Sequence, residues 1–148
     1  MAKFHSYLNF NGDCEEAFTY YHSVFGGKVE FFGKFKDIPS GEGMEISPEL
    51  GERIMHVSLT LDNGQTIMGS DSFDGCGGEA YKQGNNISVS INTDSREEAD
   101  RLFEGLSKDG SNIMPMDHAF WGDYFGALTD RFGISWMISF AEDQSQNS

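Results

Sequence analysis

Apolar residues recur along this chain with two different periods. Two stretches carry the helical one. Ala17, Tyr21, Val24 and Phe25, widened by Phe18, form one stripe, and Ala99, Leu102, Phe103 and Leu106 form another at i, i+3, i+4 and i+7. Asp13 with Glu16 and Ser95 with Glu98 read as capping boxes at the helix starts, and Gly26-Gly27 and Gly110 as the stops. The remaining apolar segments predict strands near 3–10, 28–36, 53–61, 65–70, 85–92, 111–116, 122–128 and 134–140. Asp62-Asn63-Gly64 marks a hairpin between the third and fourth strands. Asp130-Arg131-Phe132-Gly133 is its counterpart near the C-terminus.

The order of elements repeats. Residues 5–32 and 87–114 each read strand, polar turn, Glu-Glu-Ala, helix, Gly, strand, with Glu15-Glu16-Ala17 answering Glu97-Glu98-Ala99. The chain is therefore expected to be α+β, built as βαβββ twice. A single domain over 1–148 is expected, with module one about 1–74, a Gly-rich linker about 75–83, module two about 84–141 and a polar tail at 142–148.

Strand parity sorts the side chains into two faces. Phe4, Leu8 and Phe10, then Val57, Leu59 and Leu61, then Ile87, Val89 and Ile91, and finally Ile134, Trp136, Ile138 and Phe140 are expected against the helices. The other face carries His5, Tyr7, Asn9, His56, Ser58, Thr60, Asn86, Ser88, Ser90, Ser135, Met137 and Ser139. It is nearly free of Lys and Glu. A face open to bulk water on so acidic a chain would carry more charge, so this one reads as the lining of a semi-enclosed groove.

Composition narrows the partners. The 148 residues carry 10 Lys+Arg and 24 Asp+Glu, a formal charge of −14. That sign argues against nucleic acid and against an anionic membrane surface, both of which need basic patches. A mean hydropathy of −0.44 and the lack of any long apolar run argue against a membrane span. Cys14 and Cys76 are too few for a secreted disulfide scaffold, and no signal peptide is visible, so a cytoplasmic location is expected.

Paired βαβββ modules of this kind resemble the vicinal oxygen chelate superfamily, which includes glyoxalase I, bleomycin-resistance proteins and extradiol dioxygenases. The chain looks most like the PhnB-like branch, whose members have often been labelled relatives of demethylubiquinone methyltransferases. The resemblance rests on YLNFNGDCEEAFTYY at 7–21, IMHVSLTL at 54–61, IMGSD at 67–71 and FWGDYFGALTDRFGISWMI at 120–138. It implies a curved mixed sheet around a groove, the glyoxalase/bleomycin-resistance fold, and pairing as a homodimer, swapped or unswapped.

The superfamily's metal enzymes hold their ion with four residues of the groove, two per module. By the resemblance these positions fall on His5, Met68, Asn86 and Met137. Two thioethers and an amide beside one imidazole do not suit Zn²⁺, Ni²⁺ or Fe²⁺, which take imidazole, carboxylate or thiolate. The metal site is read as lost and no cofactor is expected. Asp71 is out of phase with Met68 and Ser70, so no carboxylate completes an iron site with His5 and His56.

Other signals are bland. Gly75-Cys76-Gly77-Gly78-Glu79-Ala80 matches a dinucleotide fingerprint in form only, because Tyr81-Lys82-Gln83-Gly84 follows instead of a helix. Cys14 stands at a helix start flanked by acids and reads as inert. His22 and His118 read as solvated. Met55, Met68, Met114 and Met137 read as gap-fillers or an adaptable pocket floor.

The expected function is binding of a small organic molecule, with Tyr7, Ser58, Met68, Ser70, Asn86, Trp121, Phe125 and Met137 as ligand contacts beside His5 and His56. The alternative is a glyoxalase-like enzyme that abstracts a proton next to a carbonyl, with His56 as base and His5 as its partner. A purely structural or interaction role is the third possibility. Trp121 stands between walling the pocket and covering an interface.

Overall fold

The computed structural model describes residues 2–31, 33–37, 51–72 and 81–141. The Gly-rich run at 75–80, Cys76 and the tail at 142–148 lie outside them. The elements are β1 (Ser6–Phe10), α1 (Cys14–Phe25), β2 (Lys28–Phe31), a short 3₁₀ turn (Phe35–Asp37), β3 (Val57–Thr60) and β4 (Thr66–Asp71), followed by β5 (Val89–Asn92), α2 (Arg96–Ser107), β6 (Ser111–His118), β7 (Tyr124–Thr129) and β8 (Ser135–Phe140). The twofold βαβββ order and the α+β class are as expected.

The chain divides into two compact units, Met1–Lys82 and Gln83–Ser148. Each holds one four-stranded mixed sheet, ordered β1-β4-β3-β2 in the first and β5-β8-β7-β6 in the second. The one parallel pairing of each sheet, β1 with β4 and β5 with β8, is the consequence of the crossover through the module's other elements.

In the first unit Leu8, Phe10, Val57 and Leu59 bury one sheet face against Cys14, Ala17, Phe18, Tyr21 and Val24 of α1. Gly69 permits the close approach: a Cβ there would lie 2.7 Å from both Phe18 Cε1 and the Leu8 carbonyl oxygen. In the second unit Ala99, Leu102 and Leu106 of α2 are buried with Tyr124, Leu128, Trp136 and Ile138.

Helix α2 starts as the sequence predicts. Ser95 Oγ accepts the Glu98 N–H at 3.1 Å, and Glu98 Oε1 reaches back to the Asp94 N–H at 3.1 Å. The capping box expected at Asp13 and Glu16 does not form, since Asp13 makes no side-chain cap bond. Asp71, buried at the end of β4, takes that role. Its Oδ1 accepts the N–H groups of Gly12 and Cys14 at 2.8 and 3.0 Å, and its Oδ2 accepts the Ile54 N–H at 2.9 Å. A carboxylate delivered by β4 satisfies the Cys14 N–H, one of the orphan donors of the first turn.

Three hairpin turns share one hydrogen-bond pattern. Leu61 N–H donates to Gln65 O and Gly64 N–H to Leu61 O. Asp130 with Ile134 and Gly133 repeats this, as does Ala119 with Asp123 and Gly122. The glycines have φ of 88°, 94° and 107°, as a three-residue loop closed by a glycine bulge requires. The third turn puts Phe120 and Trp121 at a hairpin tip, where the sequence reading had Trp121 only ahead of a strand.

Several strands are shorter than expected. β1 begins at Ser6 and β5 at Val89, so Phe4 and Ile87 precede their sheets and stand 98% and 78% exposed instead of entering the core. β2 ends at Phe31 and β3 begins at Val57, although Ile54 is buried and bridges Lys34. His118, expected in a loop, ends β6 with its ring 5.8 Å from that of Tyr124.

Candidate functional site

The face of the first sheet opposite α1 is built on β4. Met68 pairs in register with Tyr7 of β1 on one side and with Ser58 of β3 on the other. Ser70, two residues on, pairs with Asn9, and continuing the β3 register sets His56 across from Ser70. Tyr7 and His56 therefore face each other diagonally over β4, and both have side chains long enough to meet. Tyr7 Oη lies 3.3 Å from His56 Nδ1, and the rings stack with centroids 5.7 Å apart at 27°. Further along, Thr60 and Thr66 hydroxyls lie 3.3 Å apart. The charged side chains of this sheet's edge strand, Lys28 and Glu30, neutralise each other at 3.1 Å.

Parity assigns Tyr7 and His56 to this face, but nothing in the sequence pairs them. The signal that points to the pair is their matching parity on the two strands that flank Met68. His5 lies one residue before β1, exposed, and makes no hydrogen bond or ion pair among the described residues. Tyr7 is a polar partner of His56.

The second sheet repeats the frame with different occupants. Met137 on β8 pairs with Ser90 and Ala127, and Ser139 pairs with Asn92 and Phe125. Met137 and Ser139 thus stand on β8 as Met68 and Ser70 stand on β4. Tyr7 and His56 correspond to Ser90 and Phe125. Ser139 Oγ lies 2.7 Å from Asn92 Oδ1. Phe125 meets Trp121 edge-on at 5.5 Å, and Trp121 meets Phe120 the same way at 5.0 Å, so a ladder of three rings climbs the β6–β7 hairpin. Asn86 sits exposed in a bend ahead of β5, outside the strand in which the sequence reading put it.

The four positions of the resembled metal site offer one imidazole, two thioethers and one amide, a donor set that does not fit a divalent catalytic ion. Among the described residues there is no group of three or more His, Cys, Asp or Glu able to hold a metal. Asp71 and Asp130 are buried and accept protein N–H groups. Burial, with Asp71, Asp13 and Glu15 nearby, pushes the Cys14 thiol far above its usual range, which keeps it protonated.

The sequence profile of the family described as 3-demethylubiquinone-9 3-methyltransferase matches residues 2–139. The chain belongs to that PhnB-like family. Among solved structures, this PhnB-like chain is similar to protein PA1353 from Pseudomonas aeruginosa, at 36% identity over 95% of this chain and 98% of that one, with a TM-score of 0.79. It is also similar to the PhnB protein of Bacillus cereus, at 30% identity over 95% and 100%, with a TM-score of 0.67. A glyoxalase/bleomycin-resistance/dioxygenase domain from a Frankia species shares the fold at 17% identity over 96% and 98%, with a TM-score of 0.63. The PhnB-like motif runs fall on the elements just described: 67–71 lies within β4, and 120–138 runs from the aromatic hairpin tip into β8.

Proposed function

We propose that this PhnB-like protein binds a small organic molecule, without the superfamily's metal, and that it does so in the cytoplasm as a homodimer of single-domain chains. The observation that carries the reading is the stacked, hydrogen-bonded Tyr7–His56 pair beside Met68, Ser58 and Ser70. These groups offer ring, thioether and hydroxyl contacts with little charge, which suits a small neutral ligand. Phe125, Trp121 and Met137 offer comparable ring and thioether surface on the second sheet, and Asn86 adds an amide. Among the described residues no helix is long and apolar enough to cross a membrane. The methyltransferase wording of the family's description finds little support in two mixed sheets that each hold one parallel pair, unlike a doubly wound sheet.

The contact that supports binding also favours a second reading. An imidazole coupled to a phenol is equipped to move a proton, so His56 as a base next to a substrate carbonyl is the enzymatic alternative, with His5 the more remote candidate.

Metal analysis on tag-free protein and a thermal-shift screen of small neutral compounds test the proposal. Stabilising compounds are expected, with no stoichiometric metal, and His56→Ala and Trp121→Ala should weaken their effect. Stoichiometric Zn, Ni, Fe or Mn that His5→Ala removes would overturn the metal-free reading. Hits indifferent to both variants would overturn the assignment of the site.

A further inference from the structure

We propose that the face of the second sheet opposite α2 binds an organic cation, an ammonium group carried on an aromatic or alkyl body. This rests on the small-molecule reading, which gives Phe125, Trp121 and Met137 as contacts, and adds the charge of the group they meet. It concerns the second sheet alone.

Register fixes the members of that face. Met114 of β6 pairs with Ala127 of β7, which pairs with Met137 of β8. One row further along, Asp117 pairs with Phe125, which pairs with Ser139. Trp136 and Ile138, the neighbours of Met137 on β8, are buried on the α2 side, so Met137 and both rows take the other face. Met114 and Asp117 are three residues apart and would ordinarily point opposite ways. The register shift between them brings both to this face.

The groups assembled there are electron-rich. Thioether sulfurs accept and do not donate, ring faces carry negative potential, and Asp117 is a carboxylate. Trp121 extends the ring surface, edge-on to Phe125 at 5.5 Å, and is exposed, as is Met114. Across the four strands of this sheet Asp117 is the one Asp, Glu, Lys or Arg. Its Oδ1 accepts the His118 N–H at 2.8 Å, a bond to the backbone that leaves its charge unmatched. A carboxylate directly across from a phenyl ring, with Cα atoms about 5 Å apart, can share one ammonium with that ring. A cation within about 6 Å of the ring centroid is drawn to its face. An anion would meet repulsion from both Asp117 and the −14 of the whole chain.

Phenethylammonium and its neutral isostere phenethyl alcohol, titrated into the intact protein, test the proposal. The readout is the ¹³C-methyl signals of Met114 and Met137, assigned with Met114→Leu and Met137→Leu. The amine should move both signals and bind roughly fivefold to twentyfold more tightly than the alcohol. Asp117→Asn keeps an oxygen for the His118 N–H and should weaken the amine roughly twofold to fivefold, leaving the alcohol unchanged. Glu97→Gln removes the same charge from α2 and should leave both unchanged. An alcohol that moves these signals at equal or lower concentration overturns the cation class and leaves small-molecule binding standing. An amine that binds Asp117→Asn as tightly as the parent, or is weakened equally by Glu97→Gln, overturns the site in favour of diffuse attraction. If neither probe nor any hit of the neutral screen moves Met114 or Met137, the second sheet's part in the binding reading falls.

Discussion

Trp136 donates its indole N–H to Asp130 Oδ2 across 2.8 Å, with both side chains buried. Oδ1 of the same carboxylate accepts the N–H groups of Phe132 and Ile134 at 2.8 and 3.0 Å. Removing it would strand buried donors on a turn and on the core tryptophan. Asp130→Ala is expected to cost about 3 kcal/mol in urea unfolding, and Trp136→Phe, which keeps the turn bonds, distinctly less.

Asp71 does for α1 what a local cap does for α2, so the two helices should respond to different substitutions. Asp71→Ala is expected to cost about 3 kcal/mol and Ser95→Ala about 1 kcal/mol, as read from chemical denaturation. Asp13→Ala, at the position that looks like a cap in sequence, should cost nothing.

Burial, aided by the charges of Asp71 and Glu16, raises the Asp13 carboxyl above its ordinary 3.8. The folded protein therefore holds that proton more tightly than the unfolded chain does. Stability contributed through this group falls as pH climbs through the window above 3.8. Asp13→Asn should melt higher than the parent at neutral pH, and the gap should close as pH falls towards the ordinary carboxylate range. A gap that widens on acidification would contradict this assignment.

Adjacent glycines at the end of α1 should differ sharply. At Gly27, with φ of 82°, an added Cβ would run into the Thr60 carbonyl oxygen, and at Gly110 into that of Thr129. Gly26, with φ of 75°, has nothing within 4 Å of an added Cβ. Gly26→Ala is expected to cost about 1–3 kcal/mol of backbone strain, and Gly27→Ala more than about 3 kcal/mol. Thermal melts of the two variants side by side give the comparison.

Tyr124 Oη donates to Asp100 Oδ1 at 2.5 Å while the Arg96 guanidinium lies 4.2 Å above its ring. Tyr124→Phe keeps the ring and loses the bond to a charged acceptor, an expected cost of about 1.5 kcal/mol. A double-mutant cycle with Asp100→Ala should recover most of that energy as coupling.

Much of this architecture is legible in the sequence because its determinants are local. The stripe from Ala99 to Leu106 needs only the helical period, and the Asn63-Gly64 and Phe132-Gly133 turns need only their own residues. What escapes is set by residues distant in the chain. Asp13 looks like the cap, yet Asp71 reaches the helix start from β4. Phe4 and Ile87 continue the apolar alternation beyond the point where strand pairing and a helix can cover them. The candidate site divides in the same way. Parity puts Tyr7, His56, Ser58, Met68 and Ser70 on one face, but the meeting of Tyr7 with His56 depends on the β1-β4-β3 order and register. The aromatic hairpin is hidden because Phe120-Trp121-Gly122 lacks the Asn or Asp that usually announces such a turn.

The matched frames of β4 and β8 amount to a built-in exchange experiment. Each central strand keeps Met and then Ser, while the flanking pair is Tyr7 with His56 in one half and Ser90 with Phe125 in the other. The two copies of this scaffold differ at that two-residue cassette and at Ser58, whose counterpart is Ala127. Grafting that cassette by Ser90→Tyr with Phe125→His asks whether a sheet register alone suffices to couple a phenol to an imidazole, with the untouched half of the same chain as its control.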